Sequence, residues 1–150
     1  MEKMKAEAAE GAKAQAAKDD VLIQQYLKDK GIMNAKKTAS GLYYVISKEG
    51  TGPNPTPGKK VTVNYTGINL QGEKFDSNVD TAFHHVEPFT FDLGTHQVIT
   101  GWDEGVALLN KGAKGTLYIP SGMAYGPNAR AAAIPANAIL VFDIELVDFK

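Results

Sequence analysis

The run Val98-Ile99-Thr100-Gly101-Trp102-Asp103-Glu104-Gly105-Val106-Ala107-Leu108-Leu109 decides how the rest of the chain is read. Trp102, Val106 and Leu109 recur at i, i+4 and i+7, the spacing of one narrow helical stripe, and Gly112 ends the pattern. Thr100 is expected to cap this helix, with Asp103 three residues on as its capping-box partner in the first turn, where the helix dipole favours an acid. A helix of about three turns holding two glycines is marginal alone in water. It needs a cover, and the sequence on both sides is strand-like. The expected fold is therefore α+β: an antiparallel, strongly curved sheet of five to six strands wrapped around one short helix, with Trp102 near a pocket and a helical arm at the N-terminus.

Working outward, Leu117 and Ile119 share one face of a strand, and Leu140, Phe142, Ile144 and Leu146 point inward while Asp143 and Glu145 point out. On the other side, Val61, Val63 and Tyr65 alternate with Thr62, Asn64 and Thr66, and Phe89, Phe91 and Leu93 alternate with Thr90 and Asp92. Gly41 opens a strand at Leu42-Tyr43-Tyr44-Val45-Ile46. Gln71-Gly72 turns the chain into a short strand, Lys74-Phe75-Asp76-Ser77, and Pro57-Gly58 suits the centre of a type II turn. Asn78 to Pro88 reads as an inserted loop holding His84 and His85. Neighbouring histidines on extended chain point to opposite sides and share a metal poorly; with His96 as the third imidazole, no metal site is expected. A second long loop runs from Pro120 through Tyr125 to Pro135, and long loops beside a core are common binding elements.

Residues 1 to about 18 are rich in Ala, Lys and Glu, which favour helix but bury little. From Asp20 to Lys30, Val21-Leu22-Ile23 and Tyr26-Leu27 share a face, and Lys30-Gly31-Ile32 has the form of a Schellman ending with Ile32 packed back on Leu27. This helix reads either as a solvated linker arm or as a dimerisation helix. Asn34 to Ser40 is polar and reads as loop. The chain thus divides into an arm and linker, 1–40, and a domain, 41–150.

With 150 residues, 43% apolar, 22% charged and a net charge of −1, the composition is that of one ordinary globular domain with an extension. Nothing is basic enough to make nucleic acid the main partner. The absence of cysteine removes disulfides, thiolate catalysis and thiolate metal sites. No apolar run reaches the length of a membrane span, and Met1-Glu2-Lys3-Met4 has no signal-like core. The expected address is cytoplasmic, or outside the cytoplasm if a signal segment has been removed.

If the strands wrap the helix, Tyr65, Phe75, Phe89, Phe91, Trp102, Tyr125 and Phe142 converge near its N-terminal end, with Asp76 as the charged residue among them. Mostly apolar with a few placed polar groups, that set has the composition of a ligand pocket. The runs Val63-Asn64-Tyr65-Thr66-Gly67, Lys74-Phe75-Asp76-Ser77, Val98-Ile99-Thr100-Gly101-Trp102, Ser121-Gly122-Met123-Ala124-Tyr125-Gly126 and Leu140-Val141-Phe142-Asp143-Ile144-Glu145-Leu146 closely resemble the FKBP family of peptidyl-prolyl cis/trans isomerases. They occur in family order from about Gly41 to Lys150. The Ser-Gly-Met-Ala-Tyr-Gly-Pro run and the arm are most similar to the bacterial macrophage-infectivity-potentiator and FkpA branch, whose members are dimeric envelope proteins.

The resemblance implies that Tyr65, Phe75, Phe89, Phe91, Val98, Ile99, Trp102, Tyr125, Ile134 and Phe142 bind substrate, with Trp102 as the floor. It implies catalytic parts for Asp76, for the Ile99 N–H, for the Tyr125 hydroxyl and for Phe75. It also implies proline-containing polypeptides as clients, macrolides as inhibitors, no cofactor, and a homodimer through the N-terminal helix. Three departures stand out: a longer stretch between Asp76 and Phe89, Arg130 where some members have histidine, and Ala131-Ala132-Ala133 in the following loop, which leaves Ile134 as the apolar contact there. The alternative from another class is a chaperone or peptide-binding module that uses the same pocket without significant catalysis.

The chemistry fits the residues directly. An X–Pro bond isomerises over a barrier of about 18–20 kcal/mol because rotation breaks amide resonance, and the twisted amide is less dipolar than the planar one. A dry apolar pocket therefore favours the twisted state, while neutral donors position the neighbouring carbonyls. For Asp76 the residues leave three roles open: orienting Tyr65, orienting Tyr125, or biasing the field at the carbonyl.

Overall fold

The structure, a computed structural model, describes residues 2–79, 88–95, 97–126 and 134–150. In chain order the elements are α1 (Glu2–Asp29), β1 (Lys36–Lys37), β2 (Tyr43–Lys48), β3 (Lys60–Asn69), β4 (Lys74–Ser77), β5 (Phe89–Asp92), α2 (Thr100–Val106), β6 (Lys114–Ile119), a 3-10 turn (Ser121–Met123) and β7 (Leu140–Phe149). Among the described residues the strands form one antiparallel sheet of seven, ordered β1-β2-β6-β7-β3-β4, with β5 also joined to β3. Two features extend the count. Lys36 and Lys37, read from sequence as loop, pair with Tyr44 and Tyr43. Strand β3 takes two short partners along one edge, β5 against Lys60–Val63 and β4 against Thr66–Ile68, while β7 runs along its other edge.

The alternating residues of β3, β6 and β7 behave as their pattern dictates. Val61, Val63, Leu117, Ile119, Leu140, Ile144 and Leu146 are buried in the cluster that covers α2, each worth about 1.5–3 kcal/mol of apolar burial. Thr56-Pro57-Gly58-Lys59 forms the expected type II turn: the Lys59 N–H donates to Thr56 O at 3.1 Å and Gly58 sits at φ 92°.

Helix α2 is shorter than its sequence stripe. It stops at Val106 and tightens, with Leu108 N–H donating to Gly105 O at 3.0 Å and Leu109 N–H to Val106 O at 3.1 Å. Trp102, Val106 and Leu109 are nonetheless all buried. The expected Thr100 cap is not made. Ile99 occupies the N-cap position in extended backbone with no side-chain cap, because Thr100 is already the first helical residue. Asp103 instead accepts the Gly94 N–H at 2.9 Å and fastens the β5–α2 connection. The two helix glycines have a packing reason. A Cβ on Gly101 would lie 2.6 Å from Ile119 Cγ2, and one on Gly105 2.3 Å from Leu117 Cδ1. The helix lies so close to β6 that the propensity loss of about 1 kcal/mol per glycine is accepted.

Helix α1 ends as predicted: Gly31 at φ 70°, Ile32 N–H donating to Leu27 O at 2.8 Å and Gly31 N–H to Lys28 O at 3.1 Å. Its second half lies on the face of the sheet opposite α2, where Ile23 and Leu27 are buried with Tyr43, Tyr118, Ile139 and Val141. Asp20 reinforces this contact by accepting from Tyr43 Oη at 2.9 Å and Gln24 Nε2 at 2.7 Å, and by pairing with Lys37 Nζ at 2.9 Å. Partial burial pushes the Asp20 carboxyl up, but Lys37, Tyr43 and Gln24 together outweigh it and hold it below the usual range. Val21 and Leu22 remain exposed on the outer side of the helix. Among the described residues no helix is long and apolar enough to cross a membrane.

Candidate active site

Trp102, in the first turn of α2, forms the floor of a cavity of about 370 Å³, at the low end of the roughly 300–1,000 Å³ usual for small-ligand sites. Among the described residues four rings surround the indole: Tyr65 at 4.9 Å and 73°, Phe142 at 5.1 Å and 88°, Phe89 at 5.8 Å and 78°, and Phe91 at 5.9 Å and 48°. The first three stand nearly edge-on, the arrangement ring quadrupoles favour by about 0.5–1.5 kcal/mol per pair. They leave the indole one orientation. Its N–H is buried and meets no hydrogen-bond partner among the described residues.

One wall is the pair Phe75 and Phe142, edge to face at 5.4 Å and 86°. They meet over Gly67, where a Cβ would sit 2.6 Å from Phe75 Cζ and 2.7 Å from Phe142 Cε1. A β-bulge completes the wall. Between β3 and β4 the register jumps from Gly67↔Asp76 to Ile68↔Lys74, leaving Phe75 unpaired. On a regular strand adjacent residues face opposite ways. The bulge re-aims one of them, so that Phe75 and Asp76 both line the cavity.

Asp76 is held from two sides and holds Tyr65 in turn. Its Oδ2 accepts the Tyr65 hydroxyl at 2.7 Å and its Oδ1 the Ser77 N–H at 2.9 Å. Tyr65 is one of the two tyrosines the sequence offered Asp76 as a partner, and the bond to it is made. Burial pushes the Tyr65 phenol well above its ordinary value, and the Asp76 carboxylate adds to the shift. The phenol is thus a fixed neutral donor.

Asn78, which sequence reading placed at the start of a loop, secures the other end of Tyr65. It is buried; its Oδ1 accepts the Tyr65 N–H at 2.6 Å and its Nδ2 donates to Val63 O at 2.9 Å. Its amide stands in for a strand where the edge of β3 passes from β5 to β4. The available signal was an asparagine just past a strand end, a residue able to imitate a peptide group.

The far rim carries Gln97, Val98 and Ile99 ahead of α2, with Tyr125 and Ile134 from the long loop. Gln97 was not expected from sequence. Phe91 was expected as a lining residue and is not one: it packs behind Trp102, 4% exposed, as a buttress. Phe89 reaches the rim and is partly exposed. Arg130, Ala131 to Ala133, His84, His85, His96 and most of the 78–88 loop lie outside the described residues. Among the described residues no group of three His, Cys, Asp or Glu is placed to hold a metal.

Fold and cup together define an α+β domain that closes a curved antiparallel sheet over a helix and leaves an aromatic cavity at the helix N-terminus. The family model for FKBP-type peptidyl-prolyl cis-trans isomerase matches residues 52–147. The chain belongs to that family. It is 47% identical over 140 residues to the FkpA isomerase of Aeromonas hydrophila, covering 90% of this chain and 50% of that protein. It is 41% identical over 148 residues to the probable FkpA of Neisseria meningitidis serogroup B, covering 98% and 52%. The crystal structure of FkpA from Escherichia coli superposes with a TM-score of 0.73 at 34% identity, over 99% of this chain and 67% of that one. The likeness to the FkpA branch therefore includes the arm. The chain spans about half the length of the FkpA relatives it matches.

Proposed function

We propose that the protein is a peptidyl-prolyl cis-trans isomerase that rotates X–Pro bonds in folding polypeptides. The observation that carries this reading is the aromatic cup floored by Trp102, with Asp76 and Tyr65 locked together in its wall. A prolyl ring seated on the indole brings its imide bond into a poorly solvated site, where the planar, more dipolar amide loses more solvation than the twisted one. Ile99, at the helix N-cap, enters no donated backbone hydrogen bond among the described residues, so its N–H can take a substrate carbonyl. The Tyr125 hydroxyl serves the neighbouring carbonyl. Phe75 and Phe142 confine the ring, and Asp76, acceptor for Tyr65, fixes the negative charge at the wall. The reaction needs no nucleophile and no cofactor; it works by positioning and by exclusion of water.

A proline tetrapeptide assay tests the reading. Asp76→Val combined with Tyr125→Phe should lose most of the activity while the far-UV spectrum stays native. Equal rates for variant and wild type would remove these roles. The same cup should take macrolides, read as competitive inhibition in that assay. An aggregation-suppression assay run beside it distinguishes isomerase from pure holdase, which would protect clients without turning over the tetrapeptide.

We further infer that the domain at 41–150 carries the pocket while 1–40 acts as an arm that joins two copies. Supporting this, Val21 and Leu22 are exposed on the side of α1 turned away from the sheet. Sedimentation of the full chain against Val21→Lys with Leu22→Lys tests it; a monomer in both samples ends the idea.

A further inference from the structure

We propose that Asp19, on the helical arm, is a positioning residue for the Tyr125 hydroxyl of the pocket. The proposal rests on the isomerase reading only in what the hydroxyl is positioned for; the latch itself is a separate matter of geometry. Asp19 is fully buried. A carboxylate taken out of water is costly unless donors replace its hydration. Among the described residues it meets no cation. Its Oδ1 accepts from Gln15 Nε2 at 2.8 Å, and its Oδ2 accepts both the Ser121 N–H at 2.9 Å and the Ser121 hydroxyl. Two donors of one residue, 102 positions away in sequence, thus converge on one carboxylate oxygen.

What Ser121 does with its remaining backbone group makes the contact relevant to the site. Its carbonyl accepts the Ala124 N–H at 3.0 Å and the Gly126 N–H at 2.8 Å. Those are the residues on either side of Tyr125, so both flanks of the backbone that aims the Tyr125 ring are tied to one carbonyl, with a further tie from the Asn137 N–H to Gly126 O at 2.8 Å on the far side. The residue owning that carbonyl is pinned at its N–H and hydroxyl by the arm. Asp19, Ile23 and Leu27 fall at i, i+4 and i+8 on one helix face, and the latter two are buried against the sheet. The helix is therefore a rigid strut between the sheet and the Tyr125 turn. A shift of about 1 Å at a positioning group can cost on the order of a hundredfold in rate.

The test is a double-mutant cycle on the full chain, with Asp19→Ala and Asp19→Asn each made in the wild type and in Tyr125→Phe, read by tetrapeptide kcat/KM and by amide exchange. Asp19→Ala should lower kcat/KM by about fivefold or more in the wild type and by less than about twofold in Tyr125→Phe, the non-additivity of two residues acting through one group. The amides of Ser121, Ala124 and Gly126 should exchange faster while those of β3 and β7 keep wild-type protection. Asp19→Asn should recover most of the rate, because its carbonyl oxygen accepts both Ser121 donors and Gln15 can turn its own carbonyl to the new amide. Equal losses in the two backgrounds, or unchanged exchange at the three amides, would overturn the proposal. If Asp19→Ala does not fold, Ser121→Ala, which removes only the hydroxyl, carries the same cycle. A wild type without isomerase activity sinks the functional reading instead, and the exchange data still decide whether the latch exists.

Discussion

Gly67→Ala places a single methyl group where fold and pocket meet. The added carbon would stand 2.6 Å from Phe75 Cζ and 2.7 Å from Phe142 Cε1, against an ordinary carbon separation of about 3.5–4.0 Å. One or both rings must move by roughly an ångström, and their 5.4 Å edge-to-face contact is lost. Overpacking costs about 1–3 kcal/mol and the aromatic pair about 0.5–1.5, offset by about 0.4–1 from the stiffer unfolded chain. The expected net loss is about 2 kcal/mol, or about 4–8 °C in melting temperature for a chain of this size. Phe142 is buried while Phe75 is partly exposed, so Phe75 is the ring that yields, and it yields into the cup. Tetrapeptide kcat/KM should then fall by about tenfold beyond any loss of folded protein. Urea and thermal denaturation measure the first effect, and the isomerase assay at a temperature where both proteins are folded measures the second. Gly122→Ala is the control: a Cβ there meets nothing within 4 Å, and its stability should stay within about 0.5 kcal/mol of wild type. A Gly67→Ala protein that melts and turns over like the wild type would refute the account of the wall.

Tyr65→Phe removes a hydroxyl donated to a carboxylate at 2.7 Å; urea titration should show a loss of about 1–2 kcal/mol, at the lower part of the range for such bonds because the pair borders the open cavity. Asn78→Ala strips both the Tyr65 N–H and the Val63 carbonyl of their buried partner, and should cost about 2–4 kcal/mol in the same experiment with a circular-dichroism spectrum that remains native below the transition. Burial, aided by Tyr26 and Asp143, pushes the Tyr118 phenol up to about 12 from its ordinary value of 10.0. Its folded state holds the proton longer, so its contribution is complete below pH 10 and is lost as pH rises through about 12. Tyr118→Phe should therefore lose less stability than the wild type between those two values, measured by denaturant midpoints at each pH.

The side of the sheet facing α2 was readable because alternation needs no tertiary information: Val61, Val63, Tyr65 and the four apolar residues from Leu140 to Leu146 announce one buried face. The opposite side was not read as covered, although Tyr118 and Val141 occupy its outward positions and are too apolar for solvent. Their cover is α1: the apolar residues from Val21 to Leu27 were legible as one face of a helix but offered no sign that Ile23 and Leu27 pack on the sheet while Val21 and Leu22 stay exposed. The cup residues were legible as types, since aromatics on strands flanking a short helix have few places to go. Their exact neighbours were not. Phe91 and Phe89 sit two apart on one strand and pattern alone ranks them equally, yet one buttresses the floor and the other forms the rim. The joint exposure of Phe75 and Asp76 to the cavity depends on a register jump, which belongs to the pairing of two strands and to neither sequence alone.

The changeover along β3, from β5 at Val63 to β4 at Thr66, bears on how this domain can diversify. Both short strands end their pairing at the same place, and the side chain of Asn78 bridges the gap. The two strands leave β3 at that seam, at Ser77 and Phe89, so residues can be added between them or removed without shifting any register in the sheet. Lengthening such a connection costs little, about 0.6 kcal/mol for each doubling. The seam is thus a splice point beside the mouth of the cup, where new recognition surface can be grafted while the machinery beneath keeps its shape.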